Sequence, residues 1–179
     1  MSEHKFYPDT EATEPDIEEL EPTLEEEELD EFSREFVEKL IDKMVLLPRL
    51  AKMYPDLLGQ YKDGIWIGMF APVEGQVETL FGRTVDRLTS ENAQNILGDP
   101  EIEDAITKVP GVSRQIRLKN SGSTLMMMTA NPRAKIESKS FHLIVIDECQ
   151  GADDFIVSKS ISPMLAYYSG TMVKTGTPT

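Results

Sequence analysis

The run Leu143–Ile146, followed by Asp147 and Glu148, constrains the fold more than any other part of the sequence. Four consecutive large apolar residues are typical of a strand that is buried on both faces, as in the centre of a parallel sheet. Two carboxylates then emerge at the carboxyl end of this strand. In open parallel sheets, ligands bind at that edge. The run therefore predicts an α/β domain with an acidic site at the carboxyl edge of its sheet.

Other segments alternate between strand and helix patterns. Residues 64–70 are a short apolar run that predicts a buried strand, and residues 73–88 carry an apolar stripe at helical spacing. Buried strands that alternate with helices predict a mostly parallel sheet flanked by helices. Further expectations are a β-hairpin over 114–118 and 123–128, shorter helices and loops over 89–110, a helix over 153–167 and a last strand over 172–174.

An amphipathic helix is predicted before the first strand. Its apolar positions recur at steps of three and four residues from Phe32 to Leu47. Pro48 should end or kink this helix, because proline removes a main-chain hydrogen bond. A second short helical piece over 50–53 should stop at Pro55.

The net charge of −14 belongs to the first segment. Residues 1–38 hold 16 of the 32 acidic residues and only 2 of the 18 basic ones, whereas residues 39–179 are balanced. Prolines and a run of four glutamates at 25–28 predict that residues 1–31 are a disordered acidic tail, and an acidic docking arm is the alternative. The folded domain is expected over 32–179.

Composition also limits the class of protein. The balanced charge of the domain argues against tight nucleic-acid binding through bulk charge, although a local basic patch remains open. One cysteine, Cys149, and two histidines rule out an internal disulfide and argue against a zinc site. His142, at the start of a buried strand, is expected to be packed in the core. No signal peptide and no membrane-spanning run are present, so a cytosolic protein is expected.

The pair Asp147 and Glu148 suits nucleotide chemistry. An aspartate at this edge can hold a magnesium ion through water, because Mg²⁺ prefers hard oxygen ligands and keeps part of its hydration shell. A neighbouring glutamate can orient or deprotonate an attacking water. The alternative is a solvated strand end.

Small hydroxyl residues follow the last predicted strand. Thr175, Gly176 and Thr177 would let the main chain sense a γ-phosphate and pass its state onward. The alternative is a plain turn.

A third group of candidates follows the strand at 64–70. The turn from Pro72 to Gln76 leads into the helix, and its free main-chain amides suit phosphate contact. Arg83 and Arg87 lie four residues apart, so they share a helix face and would reach a DNA backbone. The alternative is a solvated helix face.

Three stretches carry a family resemblance. The stretches are IWIGMFAPVEGQVETLFGR, KNSGSTLMMMTANPRAKIESKSFHLIVIDECQGADD and ISPMLAYYSGTMVKTGTPT. Residues from about 37 to 179 resemble the ATPase domain of phage terminase large subunits. Helicases of superfamily two share this order of parts and are the close alternative, but the hairpin and the TGTPT ending favour terminase.

The resemblance implies a RecA-like P-loop NTPase core that uses ATP and Mg²⁺. It makes Asp147 the Walker B magnesium residue and Glu148 the catalytic glutamate. It makes Thr175, Gly176 and Thr177 the motif that couples hydrolysis to DNA movement. The turn from Pro72 through Gln76 looks like helicase motif Ia, which touches the DNA backbone. The implied partners are double-stranded DNA, the portal protein, the terminase small subunit and further copies in a ring, in the cytoplasm of an infected host cell.

The sequence departs from the family at the phosphate-binding loop. That loop requires G-x-x-x-x-G-K-[ST], and Ile65 and Trp66 follow the one glycine pair with the right spacing, Gly59 and Gly64. Acidic residues stand where the family places the loop, and the nuclease domain that the resemblance implies after Thr179 is expected to be missing. The chain is therefore expected to be inactive alone, either as a truncated or split gene product or as a degenerate, non-catalytic binding module.

Overall fold

The computed structural model describes residues 39–40, 42–98, 104–108, 114–130 and 139–176. The expected acidic tail over 1–31, the start of the first helix at Phe32 and the candidate Thr177 all lie outside these residues.

Helices and strands alternate along the described chain. The helices are α1 (residues 42–53, with 39–40 also helical), α2 (Pro55–Leu58), α3 (Glu74–Leu88), α4 (Glu91–Leu97) and α5 (Asp154–Ile156). The strands are β1 (Trp66–Ala71), β2 (Ile106–Lys108), β3 (Gln115–Leu118), β4 (Thr124–Thr129), β5 (Leu143–Ile146) and β6 (Thr171–Lys174). After α5 the chain continues as a π-helical turn, Val157–Ile161, and a 3₁₀ segment, Ser162–Tyr168.

The described strands form one mixed sheet in the order β2-β3-β4-β1-β5-β6. Strands β4, β1, β5 and β6 run parallel, whereas β3 is antiparallel to both β2 and β4. The mostly parallel α/β sheet predicted from the sequence is therefore confirmed. The hairpin is also confirmed, since β3 and β4 pair across the turn at residues 119–123.

Both faces of the sheet are covered, because side chains alternate along the central strands. In β1, Ile67 and Met69 pack into the layer formed with α1, α3 and α4, whereas Phe70 packs into the opposite layer with Phe141 and the segment after α5. Neighbouring β5 divides its apolar residues in the same way. This two-sided burial explains why both strands read as continuous apolar runs.

Of the two expected effects of Pro48, an end or a kink, the end does not occur, because α1 continues to residue 53. Pro48 has no N–H to donate to the carbonyl of Met44, four residues earlier. The hydroxyl of Ser123 donates to that carbonyl instead, at 2.6 Å, and it accepts from the main-chain N–H of Ile65 at 3.1 Å. A tertiary contact thus satisfies the carbonyl that proline leaves without its usual donor.

Two glycines allow the turn of the hairpin to approach the residues just before β1. A Cβ on Gly64 would lie 2.5 Å from the carbonyl carbon of Gly122, and both glycines have positive φ values, 99° and 75°. Only glycine tolerates both the contact and these conformations.

In the part of the chain that the structure describes, no helix combines the length and apolar character that a membrane span requires.

Candidate functional site

The candidate site lies where β1, β5 and β6 end. These strands are parallel and adjacent, and the register aligns Phe70, Ile146 and Lys174. The next residues are therefore brought to one edge. The N–H of Asp147 donates to the carbonyl of Phe70 at 2.8 Å, and the N–H of Thr175 donates to the carbonyl of Ile146 at 2.9 Å. We call the edge formed by Pro72, residues 147–151 and residues 175–176 the acidic rim.

Asp147 and Thr175 are joined by their side chains. The hydroxyl of Thr175 donates to Oδ1 of Asp147 at 2.9 Å, and both residues are half-buried. The main chain closes a second link, because the N–H of Cys149 donates to the carbonyl of Thr175 at 2.9 Å. The structure thus brings together the two motifs that the sequence separates by 28 residues.

Glu148 projects from the rim in a strained conformation. Its φ and ψ are 49° and 46°, in the left-handed region, and its side chain is exposed. This region is unfavourable for a residue that carries a Cβ, and such residues gather at functional sites. The surrounding hydrogen bonds hold the main chain there. Glu148 therefore directs its carboxylate to solvent beside Asp147 rather than into the core.

Gln150 is a rim residue that sequence reasoning missed. Its amide nitrogen lies 3.4 Å from Oε2 of Glu148, which is a long hydrogen bond. Its side chain also occupies the space that a Cβ on Gly176 would need, so the absence of a side chain at Gly176 is what lets the two segments meet. The signal in the sequence was an amide two residues beyond the acidic pair, which is too common a feature to stand out.

Pro72 reaches the rim, and the two arginines lie farther along α3. A Cβ on Gly151 would lie 3.1 Å from Cγ of Pro72, so the turn after β1 lies against the turn after β5. Arg83 is exposed and Arg87 is half-buried. Arg87 lies thirteen residues along α3 from Glu74, about 20 Å at 1.5 Å per residue.

The start of α3 is polar but not basic. Glu74 forms an ion pair with Arg114, and no side chain caps the helix. Oε1 of Gln76 is buried without a hydrogen-bond partner among the described residues. The exposed face of α3 also carries Glu78 and Asp86, so its charges are mixed.

His142 packs at the opposite end of β5, as the sequence predicted. It is 5% exposed and stacks on Tyr168 with ring centroids 3.6 Å apart. Nδ1 accepts from the N–H of Trp66 at 2.9 Å, so Nε2 carries the proton and donates to the carbonyl of Gln60 at 3.1 Å. Burial lowers the pKa of His142, and the bond to Gln60 opposes this effect.

Two cavities, of about 440 and 350 Å³, lie outside the rim: one between α3, α4 and β3, the other beside α1 and the β3–β4 turn. Neither contains Asp147, Glu148 or Thr175.

The donor set of the rim fits a magnesium ion. The carboxylate of Asp147 and the hydroxyl of Thr175 are hard oxygen donors. The bond from Thr175 is made to Oδ1 of Asp147 and does not involve Oδ2. No group of three or more histidine, cysteine, aspartate or glutamate side chains within the described ranges would enclose a metal. Hard oxygen donors suit Mg²⁺, which keeps several waters when it binds to a protein.

The fold is similar to that of solved phage proteins. The chain matches the large terminase ATPase domain of Thermus phage P74-26 with a TM-score of 0.51 and 16% sequence identity. A mutant of that domain matches with a TM-score of 0.52 and the same identity. Each match covers 64% of this chain and 48% of the other, so the chain spans about half the length of these domains. No protein-family model and no curated protein matches the chain. Over the matched part, the protein therefore has the α/β fold of a phage large-terminase ATPase domain.

Proposed function

We propose that the chain forms the metal- and water-handling part of a DNA-packaging ATPase of the terminase large-subunit type. The observation that carries this proposal is the hydrogen bond between Thr175 and Asp147, with the carboxylate of Glu148 exposed beside it at the carboxyl edge of a parallel sheet. The fold and the β3–β4 hairpin before β5 support a terminase rather than a superfamily-two helicase.

Asp147 would hold Mg²⁺ through water. Its main-chain N–H is bound to Phe70 and its Oδ1 to Thr175, so the carboxylate has a fixed direction before any ligand arrives. A bound magnesium ion would neutralise charge on the β- and γ-phosphates of ATP.

Glu148 would orient the attacking water and accept its proton. Its carboxylate is exposed and its one described side-chain contact, with Gln150, is long, so it remains accessible to water. The left-handed conformation turns this side chain out of the strand, next to Asp147 rather than on the opposite face of the sheet.

Thr175 would couple the nucleotide state to the following loop. Its hydroxyl donates a hydrogen bond to the Asp147 carboxylate, and its carbonyl accepts one from the N–H of Cys149. A change in the ligands of Asp147 would therefore reach residues 175 and 176 directly, and Thr177 would extend this coupling segment.

A phosphate-binding loop would have to come from another polypeptide segment. No G-x-x-x-x-G-K-[ST] motif occurs in the chain. Among the described strands β6 is an edge of the sheet, so a donated loop has room next to Thr175. We expect no ATP turnover by the chain alone.

DNA contact would involve the turn after β1 and the outer face of α3. Pro72 and Gln76 stand nearest the rim, and Arg83 and Arg87 lie farther along the helix. The portal protein, the small subunit and a ring of further copies are proposed partners of the complete motor.

Binding of manganese and ATP tests the proposal. In the full chain with millimolar ATP, Mn²⁺ should broaden the amide NMR signals of residues 147–149 and 175–176. Asp147→Asn should weaken this effect at least about tenfold, as for other losses in a metal site.

A matched control is Asp154→Asn, which removes an exposed carboxylate near the rim. It should leave the rim broadening unchanged. Equal broadening in the Asp147→Asn protein, or broadening confined to the acidic residues 1–38, would contradict the proposal. ATP turnover that is lost in Glu148→Gln would show catalysis without a donated loop.

A further inference from the structure

The outer face of α1 and α2 carries an exposed apolar ridge. Its members follow one another at helical spacing, and their side chains are between 38% and 81% exposed: Leu46, Leu50, Met53, Tyr54 and Leu57. The opposite face of α1 is in the core, through Met44 and Ala51. Apolar side chains that are contiguous and exposed mark an interaction surface, whereas scattered ones do not.

Basic side chains flank this ridge. The described part of α1 has one acid, Asp42, and four bases: Lys39, Lys43, Arg49 and Lys52. In α2, Asp56 is a second exposed acid, so four bases stand against two acids on the two helices. Arg49 and Lys52 also line the groove of about 350 Å³ between α1 and the β3–β4 turn.

Asp104, the acidic residue that lines this groove, is hydrogen-bonded within the fold. The carboxylate of Asp104 accepts hydrogen bonds from the N–H groups of Ala105, Asn120 and Ser121, at 2.8 to 3.1 Å. It is 8% exposed and its oxygens already accept these three hydrogen bonds, so it does not pair with the bases at the mouth of the groove. The surface is therefore apolar along its centre and positive along its sides.

We propose that residues 1–31 of the same chain bind this basic, apolar face of α1. The segment carries 14 acidic residues and 1 basic one, which complements the flanking bases. It also places an apolar side chain every three to five residues among those acids, at Ile17, Leu20, Leu24 and Leu29. Its acidic side chains complement the bases beside the ridge, and its apolar side chains complement the ridge itself.

The segment is long enough and is tethered next to the face. Leu20 is twelve residues from Phe32, where the helix is predicted to begin, so an extended chain reaches about 40 Å back from that point. Lys52 lies about 30 Å along the helix from Phe32. The tether sets an effective concentration in the millimolar range, so even a weak contact is populated.

A second copy of the chain fits the face less well. A two-fold contact through α1 would place the same bases of both copies against each other. Like charges in contact oppose association, whereas the acidic segment removes this repulsion.

Spin labelling of the full chain tests the proposal. A nitroxide is attached at Thr23→Cys in a Cys149→Ser background, and amide NMR signals are recorded. We expect strong broadening over residues 43–57 and little over the exposed face of α3, residues 78–86. Arg49→Glu with Lys52→Glu should abolish most of this broadening, and Glu26→Lys with Glu27→Lys should restore it in that background.

The control is Lys139→Glu with Lys159→Glu, a reversal of two exposed bases outside α1, which should change nothing. The dispersion of the α1 signals reports whether each variant is folded. Absent or uniform broadening would overturn the proposal. Broadening of an unlabelled, isotope-enriched chain by a separate spin-labelled chain would also overturn it, because it would assign the face to a second copy.

Discussion

Thr175 donates a hydrogen bond to Asp147 across 2.9 Å and thereby joins the ends of two adjacent parallel strands. The carboxylate proposed to hold the metal is thus fixed by the residue proposed to transmit its state.

Thr175→Val should break this link without changing the shape of the side chain. We expect a loss of about 1 kcal/mol in the free energy of unfolding, which is the typical net value of one hydrogen bond. The chemical-shift change of the Gly176 amide on addition of Mg²⁺ and ATP should also be lost, because no hydroxyl then joins residue 175 to the carboxylate of Asp147. Urea unfolding and NMR measure the two effects. Thr171→Val, an exposed position in the same strand, should cause neither.

Two replacements of Glu148 should measure the cost of its left-handed main-chain conformation. Its left-handed main chain suits glycine better than a residue with a Cβ. In urea unfolding, the free energy of unfolding of Glu148→Gly should therefore be about 1 kcal/mol higher than that of Glu148→Ala. Both variants lack the carboxylate, so the difference reports the main-chain conformation alone. Equal stability would show that the conformation costs nothing.

Ser123→Ala removes a single hydroxyl group but should lower the free energy of unfolding considerably. Ser123 is fully buried, and its hydroxyl serves both the carbonyl of Met44 and the N–H of Ile65. We expect a loss of about 2 to 3 kcal/mol, because two buried groups lose their partner.

Pro48→Ala should partly rescue Ser123→Ala. Alanine at position 48 restores an N–H that can donate to Met44, so it should cost less in the Ser123→Ala background than in the original chain. A double-mutant cycle by urea unfolding should show coupling of about 1 kcal/mol. Additive effects would mean that Ser123 does not substitute for the missing helical hydrogen bond.

His142 should make stability depend on pH. Burial lowers its pKa below the usual 6.5, so below that pH the unfolded chain binds a proton that the folded chain resists. The stabilisation is fully present above pH 6.5 and is lost as the pH falls towards the lowered pKa. Protonation would also place a second N–H against that of Trp66.

His142→Asn should remove this pH dependence. Its amide oxygen keeps an acceptor for Trp66 but does not titrate. Unfolding midpoints at pH 7.5 and 5.5 should therefore differ less in this variant than in the original chain. An unchanged difference would assign the pH effect to the carboxylates.

The sequence by itself determined the elements whose signals are local. The four apolar residues of β5 identified a central strand because both faces are buried, and Asp147 followed at its end. The periodicity of α3 and the turn between β3 and β4 were equally readable, since helix and hairpin signals lie within a few residues. The short strand β2 was not recognised, because three residues carry too little pattern.

Tertiary structure decided what depends on contacts between distant residues. Pro48 does not end α1, because Ser123, far along the chain, supplies the donor that proline lacks. The pairing of β5 with β6 brings Thr175 to Asp147, and the turn after β5 sets Glu148 in its left-handed conformation. Residue types and spacing predict which groups are available for chemistry, but strand order and register decide which of them meet.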